Sequence, residues 1–153
     1  GYGGMYTPKY LDEAITDRNL LYALNIAHNN IEILLRYIYL YGKVAARLTV
    51  TEKEVEKADN PLFKRLCDEC KSLIGEELYN QIISFNKVRT VIHTIIVNRQ
   101  LESNEELYYD EIQKTKKYCE KLFSILFRIM ESKDKIVEIK TNQCTDTSYS
   151  ARF

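Results

Sequence analysis

Residues 78–99, LYNQIISFNKVRTVIHTIIVNR, decide the reading of this chain. At about 100° per residue, Leu78, Ile82, Phe85, Ile92 and Ile96 fall on one stripe, which predicts a long amphipathic helix. Asn80, Lys87, Thr90, Thr94 and Asn98 form its polar arc. Arg89 and His93 do not join that arc. They fall inside the apolar stripe, one turn apart, so their side chains converge on one point. A guanidinium on an apolar surface needs a partner, a cleft or a bound anion, because an unpaired buried charge is very costly.

The same periodicity runs outward in both directions. Upstream, Leu20, Leu24, Ala27, Ile31, Leu34, Leu35 and Ile38 predict a long helix that starts near Thr16 or Asp17 and ends near Gly42. His28 lies near its apolar side and reads as a hydrogen-bonded structural histidine. Residues 1–16 are rich in Gly and Tyr and read as an irregular arm. Thr51 and Glu54 form a capping box that opens a short polar helix, and Asn60-Pro61 restarts the chain. Leu62, Phe63, Leu66, Cys70 and Leu73 mark a third helix, with Gly75 placed to end it. Downstream, Ser103 to Glu106 is a second capping box. It leads into a last long helix through Tyr108, Ile112, Thr115, Cys119, Leu122, Leu126 and Met130 to about Ser132. The pattern then changes to IVEIK, an extended piece, and to a polar tail over 134–153. Three long helices plus one or two short ones, with short connections, predict an all-α antiparallel bundle over 17–133.

Composition narrows the function classes. The 153 residues carry 22 basic and 22 acidic side chains, so net charge argues for neither a nucleic-acid nor a lipid partner, and a polyanion would need a local patch. No stretch has the uncharged apolar length of a membrane span, and GYGGMYTPKY lacks the layout of a signal peptide, which predicts a cytoplasmic location. Cys67 and Cys70 form a C-x-x-C inside a helical pattern, and the remaining Cys119, Cys144 and two histidines lack zinc-ligand spacing. Reduced, helix-packing cysteines are the expectation, with no metal or cofactor. In TEKEVEKAD and EIQKTKKYCEK the charge sign alternates as on a solvated helix face.

The order of helices, with Asn86, Lys87, Arg89 and His93 on the penultimate one, resembles the HEPN superfamily of small helical bundles. The architectural likeness covers roughly residues 15–132 and the motif about eight of them. The three residues between Arg89 and His93 are fewer than the family usually has, and Thr90 stands where Asn is common. Lys87 has the longer spacing to His93. The resemblance implies a metal-independent endoribonuclease of a toxin or defence system, acting as a homodimer whose two Arg and His pairs meet across a cleft. In that role His93 exchanges a proton with the ribose 2′-hydroxyl or the leaving oxygen. Arg89 holds the scissile phosphate. Asn86, about 20° from His93 on the wheel, orients the imidazole or meets ribose. Lys87, Lys114 and Lys117 are the candidates for neighbouring phosphates. An antitoxin or a nucleotidyltransferase is the implied protein partner. The alternative is a helical module without chemistry, an adaptor or inhibitor that uses the same apolar face to bind another protein.

Overall fold

The structure, a computed structural model, describes residues 6–44, 62–98 and 105–141, with backbone alone for residues 44 and 133–141. All of its regular structure is helical. The helices are α1 (Pro8–Thr16), α2 (Leu20–Tyr39), α3 (Phe63–Ile74), α4 (Glu76–Val97) and α5 (Glu105–Thr141), and a π-helical turn, Leu40–Val44, extends α2. Among the described residues this is the expected all-α bundle of three long and two shorter helices. The capping boxes at 51–54 and 103–106 and the restart at Asn60-Pro61 lie wholly or partly outside those residues.

α2 is the axis. Ala23, Leu24, Ala27, Ile31, Leu34, Leu35 and Ile38 are sealed, and Ile26 and Ile33 bury a further side, because the helix packs against all four others and most heavily against α5. Each such aliphatic side chain contributes about 1.5–3 kcal/mol by leaving water. α3 brings Leu66, Cys67, Cys70 and Ile74 to this core, α4 brings Leu78, Ile82, Phe85 and Ile92, and α5 brings Tyr109, Ile112, Cys119, Leu122 and Leu126. Cys67, Cys70 and Cys119 are buried free thiols, and the Cys70 thiol donates to the Leu35 carbonyl at 3.3 Å. Burial pushes all three up to about 12, so they are unreactive packing groups.

Helix directions follow from the cross-links. Neighbours α1–α2, α3–α4 and α4–α5 are antiparallel, whereas His28 against Phe63 and Leu35 against Cys70 make α2 and α3 run the same way. The span 45–61 connects that parallel pair. Gly42 lies where α2 meets α3 and α5; a Cβ there would sit 2.7 Å from Leu73 Cδ1 and 3.2 Å from Ile129 Cδ1.

Three expectations change. Residues 1–16 contain α1, which Pro8 starts as a favoured first-turn residue and which Leu11 and Ala14 bury. Asn30, 1% exposed, fastens its start by accepting from the Thr7 N–H at 2.9 Å and donating to the Thr7 carbonyl at 3.3 Å. α1 closes with Arg18 at φ 57, where Arg18 N–H and Asn19 N–H donate to the Ile15 and Ala14 carbonyls. Arg18 also pairs with Glu106 and lies 4.1 Å from the Tyr109 ring centroid, which ties this turn to α5. Asn19, rather than Thr16 or Asp17, caps α2 by accepting from the Tyr22 N–H at 3.2 Å. At the other end of the chain, IVEIK is not extended: α5 continues helically through it to Thr141.

Gly75 alone separates α3 from α4, at φ 90 and ψ 158. Nothing lies within 4 Å of a Cβ placed there, so the cost of a side chain is purely conformational. Gly75→Ala is expected to destabilise the fold by about 1–3 kcal/mol in chemical denaturation.

No helix among the described residues is long and apolar enough to cross a membrane.

Candidate functional site

The turn at Gly75 aims α4 so that Leu78, Ile82, Phe85 and Ile92 enter the core, and Glu76 and Glu77 stabilise its first turn against the helix dipole. Tyr79 then sits on the α3 side, with its hydroxyl donating to Asp68 and Lys64 bridging the two at 2.7 Å from Asp68 and 3.1 Å from Tyr79. Asn86 and Arg89 follow on that same flank of α4, at the rim of the apolar stripe, and both are half-buried.

Arg89 Nε donates to Asn86 Oδ1 at 3.4 Å, a long bond that leaves the guanidinium weakly held. Among the described residues no carboxylate pairs with Arg89. His93 is one turn further and exposed, outside the stripe in which helical periodicity had placed it. Its imidazole has no hydrogen-bond or ion-pair partner among the described residues. Thr90 and Thr94 turn their hydroxyls back to the Asn86 and Thr90 carbonyls at 3.1 and 2.9 Å, so the Thr90 hydroxyl proton is already committed.

A second set of polar groups lies on α2, of which His28 feels the charge of Arg89. His28, Glu32 and Arg36 repeat every four residues along one line. Glu32 lies between the other two, 3.8 Å from His28 Nδ1 and 3.6 Å from Arg36 Nη2. The His28 ring packs on Phe63 with centroids 4.5 Å apart. Burial, and then the positive charge of Arg89, push the His28 imidazole down to about 4. It is therefore neutral at physiological pH. His28 Nε2 and Arg36 Nε are buried without a hydrogen-bond partner among the described residues.

Asn86, Arg89 and His93 lie within about two turns of α4, and of these only Asn86 and Arg89 are in contact among the described residues. His28, read from the sequence as structural, is partly buried, packed on Phe63 and beside Glu32, and its only link to this set is the charge of Arg89. His28, Glu32 and Arg36 recur at four-residue spacing, but α2 also carries Asn25, Asn29 and Asn30, so that spacing did not stand out in the sequence. The lysines are placed differently. Lys87 is exposed on the outer side of α4. Lys114 pairs with Glu111 at 2.8 Å, which holds its amine above the ordinary lysine value, and Lys116 pairs with Asp12 of α1. Lys117 is exposed, and no contact among the described residues joins either Lys114 or Lys117 to Arg89 or His93. The described residues hold no group of three or more potential metal ligands.

The arrangement offers a cation with no carboxylate partner among the described residues, an exposed imidazole and a side-chain amide within two helical turns. Such a set can bind a phosphate and move a proton beside it. No protein family, no curated protein and no solved structure matches the chain.

Proposed function

We propose that this bundle is a HEPN-like endoribonuclease half-site, completed by a second copy of the chain, and that it serves a toxin or defence system. The observation that carries the reading is the state of Arg89: half-buried at the rim of the core, with no acidic partner among the described residues, and one turn from an open imidazole. A structural arginine in that position would be closed by a carboxylate. Arg89 instead keeps donors for a ligand anion.

The chemistry that follows is transesterification. His93 removes the proton from a ribose 2′-hydroxyl, the 2′-oxygen attacks the adjacent phosphorus, and the 5′-oxygen of the next nucleotide leaves with a proton from the partner subunit's site. Arg89 neutralises the charge that gathers on the phosphate oxygens. Asn86 holds Arg89 in this arrangement, and Lys87 is the candidate for a flanking phosphate on the outer face.

The test is an RNA oligonucleotide beside its 2′-deoxy counterpart, both in the presence of chelator. Only the RNA should be cut, leaving 2′,3′-cyclic phosphate and 5′-hydroxyl ends. Cleavage of both, or of neither, overturns the reading.

A specific observation favours a second reading, a non-catalytic interaction module such as an adaptor or an antitoxin-bound partner. Val91 and Val97 on α4 and Leu107 on α5 are 57%, 61% and 60% exposed, and an apolar surface built from such side chains would suit a partner. In the nuclease reading this surface belongs to the dimer; in the module reading it binds another protein, with a nucleotidyltransferase as one such partner.

A further inference from the structure

Gly75 folds α3 back against α4, and the seam between the two helices carries a polar cluster outside the core. The Asp68 carboxylate is at its centre. It accepts from Lys64 Nζ at 2.7 and 2.9 Å and from the Tyr79 hydroxyl, and Lys64 Nζ also donates to the Tyr79 oxygen at 3.1 Å. Lys71, one turn beyond Asp68, stays outside this network. Its ammonium lies over the Tyr79 ring, 4.7 Å from the centroid, and makes no ion pair among the described residues. Lys64 approaches the same ring at 5.8 Å. Two ammonium groups therefore flank one tyrosine, while the carboxylate between them is already filled by its own donors, so the cluster keeps a positive charge. Glu76, in the first turn of α4, pairs with neither lysine among the described residues.

Helical register joins this cluster to the Arg89 and His93 rim. Tyr79, Asn86 and His93 follow one another at seven-residue steps, so they fall within about 40° of one line along α4. Along the helix axis Tyr79 lies about 10 Å from Asn86 and about 15 Å from Arg89. α3 runs antiparallel to α4, which sets Lys64 further toward Asn86 than Lys71. Lys71, Lys64 and Arg89 thus make a strip of separated cations along the seam.

We propose that the α3–α4 seam is the track by which single-stranded RNA reaches Arg89 and His93, with Lys71 and Lys64 contacting its phosphates and Asp68 and Tyr79 holding Lys64 in place. The proposal rests on the nuclease reading for the strand it names. Spaced cations suit a backbone of repeating phosphates, and such contacts position a strand without reading its sequence.

The experiment measures binding of a short single-stranded RNA oligonucleotide and of a dinucleotide whose one phosphate fills only the Arg89 site, both 2′-O-methylated so that neither is cut. In the full-length protein Lys71→Ala should weaken the oligonucleotide about threefold to tenfold and leave the dinucleotide unchanged. The slope of log Kd against log salt should fall by about 0.7, the share of one phosphate contact on a single strand. Lys71→Arg should restore both. Lys9→Ala, which removes an exposed charge from α1, should change neither. Circular dichroism checks that each variant is folded. An unchanged affinity and slope in Lys71→Ala, an equal loss on the dinucleotide, or a wild type that binds no RNA overturns the track. So does poly-glutamate bound as tightly as the oligonucleotide, which would make the seam a site for acidic protein segments. Cleavage of unmodified RNA is read separately. A wild type that binds through Lys71 but leaves RNA intact refutes the nuclease reading and keeps the track, whereas one that cuts RNA with kcat/KM indifferent to Lys71→Ala refutes the track and keeps the nuclease.

Discussion

Arg89→Ala is expected to reduce RNA cleavage by about 10²–10³-fold, the usual cost of removing one charge-stabilising donor from a transition state. His93→Ala should cost about 10²–10⁴-fold, the range for losing a positioned general acid or base. The two differ in how they fail. In the nuclease reading Arg89 would hold phosphate before and during the reaction, so Arg89→Ala should raise KM as well as lower kcat. His93 is exposed, so His93→Ala should lower kcat with KM and thermal stability little changed. Steady-state kinetics on a short RNA, with circular dichroism on each variant, separates these outcomes. Loss of the fold in His93→Ala would contradict the exposed placement of the imidazole.

The second large effect is on acid stability and comes from His28. In the folded protein this imidazole titrates at about 4, against 6.5 for an ordinary histidine. At pH 7 both the folded and unfolded forms carry it neutral, and it contributes nothing to the pH dependence. As pH falls through 6.5 the unfolded chain binds a proton that the folded one refuses until about 4, so stability is lost across that window. The shift corresponds to about 3 kcal/mol by pH 4, as an upper bound. Carboxylates add their own acid dependence, but they are shared by both proteins in the comparison. His28→Phe should therefore show a pH 7 to pH 4 loss about 3 kcal/mol smaller than the wild type in urea denaturation. Parallel curves for the two proteins would show that the imidazole is not buried in its neutral form.

The core of α4 was legible because its apolar residues recur at helical spacing and because Gly75 stands at a position only glycine fills comfortably. The rim was less legible. A helical wheel gives the direction of Arg89 and His93 but not which neighbouring helices cover each direction, and His93 turned out to lie where nothing among the described residues covers it. α1 was hidden by Tyr- and Gly-rich sequence, since its stability comes from Leu11 and Ala14 against α2 and from the Asn30 link to Thr7 rather than from propensity. The end of α5 was misread for the opposite reason. Ile136, Val137 and Ile139 favour strands locally, but the preference is small, and adding residues to a helix already formed is easier than starting a new element. His28 was legible as a histidine near the apolar side of α2, but that it packs on Phe63 and lies beside Glu32 depends on how α2 and α3 meet, which the sequence does not give.

The most direct test of the half-site is incubation of the wild-type protein with a pool of varied RNA in the presence of chelator, followed by analysis of the fragment ends. The reading predicts fragments ending in 2′,3′-cyclic phosphate and 5′-hydroxyl that disappear with Arg89→Ala. An RNA pool left intact by the folded wild-type protein, or cut equally by Arg89→Ala, would contradict it.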